Sequence, residues 1–232
     1  MLPCHETKQG PQLPENAPTV QVKICGLTRA DEAAACAAAG AHAIGLVFYP
    51  RSRRYISAET AREIRRALPP DFVCVGVFVD APPETVLRVA RTAGLGAVQL
   101  HGGEPPEGVE RLRREGLFVI KALFAERAPA FEDAPRYPAS AFLVECGQGA
   151  LPGGNALAWD WGAASGIGRE HPLILAGGLT PLNAAQAICA ASPDAVDVSS
   201  GVETAPGRKD IRNVQAFIRA ATAAPCRRRV FA

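Results

Sequence analysis

The sequence predicts an α/β protein, a single-domain (β/α)8 TIM barrel, on three observations. Short β-branched or apolar runs recur eight times along the chain, 21 to 31 residues apart. Helical patterns fill most of the intervals between them. Polar residues on several of these runs share one phase, concentrated at the C-terminal ends. Strands alternating with helices imply parallel pairing, because each crossover must return the chain to the same edge. A doubly wound open sheet is the competing arrangement, but it would place a GxGxxG fingerprint after the first strand, where this chain reads CGLTRADE.

The elements follow in order. VQVKIC from Val20 is the first strand. Thr28 is expected to cap the helix TRADEAAACAAA, with Asp31 reaching back and Gly40 ending it. AIGLVF from Ala43 is the second strand; Ser57 caps SAETAREIRRAL, which stops at Pro69 and Pro70. FVCVGVFV from Phe72 is the third, and Pro82 and Pro83 open the helix after it. GAVQLH, LFVIKAL, AFLVE, PLILAGG and AVDVSS, from Gly96, Leu117, Ala141, Pro172 and Ala195, complete the eight, and NVQAFIRAATAA is the last helix.

Composition bounds the rest. The 232 residues carry 48% apolar and 21% charged side chains and a formal net charge of +2. That apolar content offsets chain entropy, and a near-balanced charge gives no case for nucleic acid as the main partner. No run reaches the roughly 18 apolar residues that span a bilayer, so no membrane partner is expected. Residues 1–19 read as a disordered N-terminal leader, 20–224 as the barrel, and 225–232 as a basic, solvated C-terminal tail. Seven scattered cysteines without a CxxC argue against a disulfide framework and for a cytoplasmic location. The four histidines lack zinc spacing, so no metal is expected.

Alternation places Lys23 and Cys25 opposite Val22 and Ile24, and Gln99 and His101 opposite Val98 and Leu100. It likewise sets Lys121 opposite Ile120 and Ala122, Glu145 opposite Val144, and Asp197 and Ser199 opposite Val196 and Val198. Five strands are thus expected to send polar groups to one mouth, the usual place for a barrel's active site. Gly177 and Gly178 after the seventh strand, and Ser199, Ser200 and Gly201 after the eighth, form turns whose backbone amides suit a phosphate. Cys25, beside Lys23, is a candidate base or nucleophile; a buried structural cysteine is the alternative, and is the reading for Cys74. Glu145 is a candidate general acid. The segment YPRSRRYIS is either a solvated loop or an arginine clamp for a carboxylate. Lys121 is read as a core ion-pair partner.

These residues carry a resemblance. VKICGLTR (22–29), GLVFYPRSRRYIS (45–57), VGVFVD (75–80), VQLHGGE (98–104), LAGGLTPLNA (175–184) and VDVSSGVETAPGRKD (196–210) resemble the phosphoribosylanthranilate isomerase family of tryptophan biosynthesis. The resemblance implies a (β/α)8 enzyme with no metal and no organic cofactor, acting on a small-molecule phosphoribosyl anthranilate as a monomer or homodimer. The implied reaction is an Amadori rearrangement to 1-(2-carboxyphenylamino)-1-deoxyribulose 5-phosphate. It implies Cys25 as base, Arg54 on the anthranilate carboxylate, and Gly178 with Ser199–Ser200–Gly201 on the phosphate. Asp197 would contact the ribose or order the site, and Gln99 and His101 would bind substrate. One departure stands out: the family tends to have Asp at the end of the sixth strand, and this chain has Glu145 in LVEC. The loop CGQGALPGGNA also departs and is the expected compensation; Asp160 in WDW is the reserve acid, otherwise a helix cap. The competing functions are another phosphosugar isomerase or epimerase, and a phosphosugar-binding barrel without turnover.

Overall fold

The computed structural model describes residues 18–148 and 159–231. Most of the leader and most of the CGQGALPGGNA loop lie outside the described residues. Eight parallel strands close into a barrel in sequence order: β1 (Gln21–Cys25), β2 (Ala43–Val47), β3 (Val73–Phe78), β4 (Ala97–Leu100), β5 (Phe118–Phe124), β6 (Ala141–Glu145), β7 (Leu173–Leu175) and β8 (Ala195–Val198). Each starts within one residue of its expected run. The seam between β8 and β1 pairs Asp197 with Lys23. A short antiparallel hairpin, β9 (Glu203–Ala205) and β10 (Arg208–Lys209), follows β8.

Among the described residues seven helices flank the barrel: α1 (Ala30–Ala38), α2 (Ala58–Arg66), α3 (Pro83–Ala93), α4 (Pro106–Arg114), α5 (Ile167–Glu170), α6 (Ala184–Ala191) and α7 (Ile211–Thr222). The β5–β6 connection carries only a 3-10 turn, Phe131–Arg136, with Pro135 inside it. Ser57 accepts from the Thr60 amide as the expected cap of α2, and Pro83 begins α3. Thr28 does not cap α1: Arg29 holds that position with no side-chain bond, and the Thr28 hydroxyl donates to the Gly207 carbonyl at 2.9 Å. The β9–β10 hairpin draws Thr28 away from the helix.

Two apolar layers build the core. Outward residues such as Val22, Ile24, Val98, Leu100, Val144 and Leu175 pack against the helices. Inward residues Ala43, Val75, Ala97, Ile120, Ala122, Leu143 and Ile174 fill the barrel. Ile120 and Ala122 are therefore inward, and Lys121, between them, points out. The expected convergence of five strands is corrected to four. Lys121 is fully buried under the helical shell, where its Nζ donates to Gly102 O (2.6 Å), Glu104 Oε2 (2.7 Å) and Leu100 O (3.3 Å). Its reading as an ion-pair partner holds; its side of the sheet does not.

The floor of the barrel also differs from expectation. Val230 and Phe231 are buried and join the inward cluster. Gln21 clamps them, accepting from both amides at 2.6 and 2.8 Å and donating to the Phe231 carbonyl at 2.6 Å. Asp194, 1% exposed, accepts from the Arg227 and Arg228 amides. Residues 225–231 are thus not a solvated tail, because two apolar side chains at the end outweigh three arginines whose heads reach the surface. At the other end, Pro18 and Thr19 already pair with Cys226 and Pro225, so the ordered barrel begins before residue 20.

Candidate active site

The C-terminal mouth gathers Cys25 from β1, Gln99 and His101 from β4, Glu145 from β6, and Asp197 and Ser199 from β8, together with Arg54 from the β2–α2 loop. All were expected there. Gly45 on β2 makes the space: a Cβ at that point would lie 2.5 Å from Cys25 Sγ and 3.1 Å from Lys23 Nζ. Bulk on the neighbouring strand would displace the thiol.

Cys25 and Lys23 share the inner face with Asp197, whose Oδ1 lies 2.7 Å from Lys23 Nζ. Burial works against the Lys23 charge, but Asp197 and Cys25 outweigh it and carry its pKa above the ordinary lysine value. Burial pushes the Cys25 thiol up; Lys23 and Lys209 oppose this, Asp197 adds to it, and the net shift is upward. The cation beside Cys25 therefore does not leave a resting thiolate. Cys74, by contrast, is an ordinary buried thiol, pushed to about 11 by burial.

Glu145 sits across the mouth. Its Oε1 is 3.2 Å from His101 Nε2, and Gln99 Nε2 is 2.8 Å from His101 Nδ1. Burial would raise the Glu145 pKa, yet His101 and Arg127 overcome it and hold the carboxyl below its ordinary value. At rest the thiol is thus protonated and the carboxyl ionised. Asp160 is a cap, accepting from the Gly162 amide at the start of a 3-10 helix. Its neighbours Trp159 and Trp161 donate to the carbonyls of Ala176 and Gly177, pinning the turn after β7.

Gly177 and Gly178 both have positive φ, 88° and 67°, and Ser200–Val202 forms one 3-10 turn after Ser199. The two turns lie side by side, with the Leu179 carbonyl directly against Gly201. Arg54 is engaged more fully than its sequence suggests. Its Nε and Nη2 form a bidentate pair with Glu203 at 2.8 and 2.6 Å. Lys209 Nζ also reaches Glu203, at 2.7 Å, and the Ser199 carbonyl at 3.2 Å. Both ion-pair partners come from the β9–β10 hairpin and were not singled out from sequence. Burial raises the Glu203 pKa, but Arg54 and Lys209 hold it low overall.

Arg127, just after β5, was also unmarked by sequence. Its guanidinium lies 3.3 Å over the Phe124 ring centroid, and the same ring meets His101 edge-on at 5.6 Å. Among the described residues no cluster of His, Cys, Asp and Glu has the arrangement of a metal site.

The family model described as N-(5'phosphoribosyl)anthranilate (PRA) isomerase matches residues 22–220. The chain belongs to this family. N-(5'-phosphoribosyl)anthranilate isomerase of Desulfatibacillum aliphaticivorans is 52% identical over 203 residues, covering 88% of this chain and 93% of that protein. Its counterpart in Rubrobacter xylanophilus is 46% identical, over 87% of this chain and 98% of that one. The crystal structure of phosphoribosyl anthranilate isomerase from Thermotoga maritima superposes with a TM-score of 0.81 at 42% identity, covering 88% of this chain and 99% of that one. A further isomerase structure, at 41% identity, TM-score 0.78 and the same coverage, holds reduced 1-(o-carboxyphenylamino)-1-deoxyribulose 5-phosphate.

Proposed function

We propose that the chain isomerises N-(5'-phosphoribosyl)anthranilate in tryptophan biosynthesis, with Glu145 as general acid and Cys25 as general base. Family membership supports the reaction, and the opposed placement of a buried carboxyl and a buried thiol at one mouth carries the residue roles. Glu145 protonates the ribose ring oxygen, opening the furanose to an imine. Cys25 removes the C2 proton, giving an enolamine that tautomerises to the ketone. Both groups must first exchange their resting protonation. One proton moved from the Cys25 thiol to the Glu145 carboxylate gives the competent form, and Lys23, beside Cys25, favours the thiolate side of that exchange.

Gly177, Gly178 and the Ser199–Ser200–Gly201 turn bind the phosphate through backbone amides and hydroxyls. Asp197 orders Lys23 against Cys25. Gln99 and His101 present Glu145 and contact the ribose. Arg54, with two donors given to Glu203, offers its remaining nitrogen to the anthranilate side. The longer acid is accommodated by His101, which fixes Glu145 Oε1. A small-molecule substrate is the partner. Either a monomer or a homodimer fits this reading; the Thermotoga maritima isomerase is called dimeric, and monomers generated from it have been solved. A reducing cytoplasm suits the buried thiols Cys25, Cys36, Cys74, Cys146 and Cys226.

The test follows substrate fluorescence in wild type, Cys25→Ala and Glu145→Gln. Both variants lose kcat by about 100-fold or more, the usual scale of a proton-transfer group, with little change in KM. Full activity in Cys25→Ala ends the base assignment. An inactive wild type that binds the reduced product favours a binding barrel.

A further inference from the structure

Gln99 is the least explained polar group at the mouth. It is 1% exposed, and its Oε1 is buried with no hydrogen-bond partner, one of two such side-chain atoms among the described residues. A buried acceptor without a donor is rare in folded proteins. The other end of the amide is engaged: Nε2 lies 2.8 Å from His101 Nδ1. An amide nitrogen only donates, so Nδ1 is the accepting, unprotonated nitrogen of the ring. A neutral ring then carries its proton on Nε2, which stands 3.2 Å from Glu145 Oε1 and donates to it. The ring is held in this attitude by Phe124, which it meets edge-on at 5.6 Å, and by the His101 amide, which donates to the Phe78 carbonyl at 2.8 Å.

Turning the amide by half a revolution would give Oε1 a donor, but only from a proton on Nδ1. Nε2 would then face the ionised Glu145 with a lone pair, which repels it, or as part of an imidazolium. The imidazolium satisfies both contacts, and it places a full positive charge beside the acid. The mechanism above needs Glu145 to take up a proton before the ribose ring opens, and a cation at that distance favours the ionised form. A neutral donor favours it less. We propose that Gln99 is a positioning residue that keeps His101 as the neutral, Nε2-protonated ring, so that the acid is held in place without being locked in its ionised state. The unpaired Oε1 is the consequence of that orientation. The importance of the ring for turnover rests on the isomerase reading; its protonation does not. The same geometry divides the work of the carboxyl: Oε1 accepts from His101, and Oε2 carries the proton to the substrate.

The test is imidazole nitrogen NMR of protein labelled at histidine, at neutral pH, with the His101 signals assigned by their loss in His101→Asn. Wild type is expected to show a protonated Nε2 and an unprotonated Nδ1. Gln99→Glu sets an acceptor against Nδ1 and is expected to show both nitrogens protonated. Its kcat falls by about 10-fold or more, with KM within about 3-fold of wild type, because the full charge depletes the protonated acid. Gln99→Met, of similar length but without a donor, populates the wild-type tautomer only in part. A wild-type ring protonated on Nδ1 overturns the proposal, whether or not any variant folds. So does a Gln99→Met ring with wild-type protonation, or a Gln99→Glu enzyme with wild-type kcat. A rise in KM without a fall in kcat marks a plain substrate contact and overturns it too. A wild type with the expected ring but no turnover of phosphoribosylanthranilate refutes the isomerase reading and leaves the ring assignment standing.

Discussion

Replacing Lys121 by Met separates the two sides of the sheet. Lys121 and Glu104 have side chains 0% and 5% exposed, joined at 2.7 Å. Methionine follows the apolar stem but leaves the Glu104 carboxylate without its cation. Breaking a buried pair from one side costs about 3–5 kcal/mol. Here Glu104 keeps the Asp80 amide at 2.9 Å and the Gly102 amide at 3.0 and 3.1 Å, so the lower end, about 3 kcal/mol, applies. At about 2–4 °C per kcal/mol for a domain of this size, the midpoint falls by about 6–12 °C. Lys121→Met combined with Glu104→Gln removes the orphaned charge while the amide oxygen still accepts from those backbone groups. The pair recovers about 1–2 kcal/mol relative to the single variant. Urea unfolding followed by tryptophan fluorescence reads stability, and kcat/KM below the transition reads the site. A Lys121→Met enzyme of unchanged stability but with kcat reduced tenfold or more would refute an outward structural lysine and return it to the mouth.

The resting protonation of the site predicts a broad kcat/KM profile. Its acid limb, from Glu145, falls below the ordinary carboxylate value of 4.5, and its alkaline limb, from Cys25, lies above 9.0; an alkaline limb near 7 would contradict it. Because the folded-state pKa of Glu145 is depressed, its contribution to stability is fully present above 4.5 and is lost as pH falls through the folded value. Glu145→Gln should flatten that part of the acid-denaturation curve, as read by circular dichroism. Glu203→Gln weakens the clamp on Arg54 and Lys209; it should raise KM several-fold more than it lowers kcat, measured by steady-state kinetics. Phe231→Ala opens the barrel floor and should cost about 3–5 kcal/mol in urea unfolding, with kcat/KM of the folded enzyme unchanged.

The eight strands were legible because each carries its own apolar run, and local signals sufficed for the Ser57 cap and for Pro83. The mouth was legible where a strand shows one polar phase. Lys23 with Cys25, and Gln99 with His101, repeat at a spacing of two, and the barrel places both pairs inside. FVIKALF shows no such contrast, being apolar on both faces, so Lys121 alone could not declare its side. Its partner Glu104 lies in the β4–α4 loop, a full helix before the strand, and only the folded chain brings the two together. Arg54 illustrates the same limit. Its type and loop suggested a clamp, but Glu203, 149 residues away, already occupies the fork. At the C-terminus the run of arginines masked Val230 and Phe231, whose burial depends on an open barrel floor that no local pattern reveals. Arg127 left no signal: it follows its strand in an ordinary charged turn, and its stacking on Phe124 exists only in three dimensions.

The contact between Lys23 and Asp197 lies on the seam where the first and last strands meet. Two of the charges around the base, Asp197 and Lys209, are therefore brought in by ring closure, whereas Lys23 shares the base's own strand. A barrel gaping at that seam keeps most of its helices and most of its strand pairing, yet Cys25 loses Asp197 and Lys209 together. Turnover in this chain is thus a gauge of circumference: it reports whether the ring is shut, and it should vanish under mild denaturant before the helical signal declines.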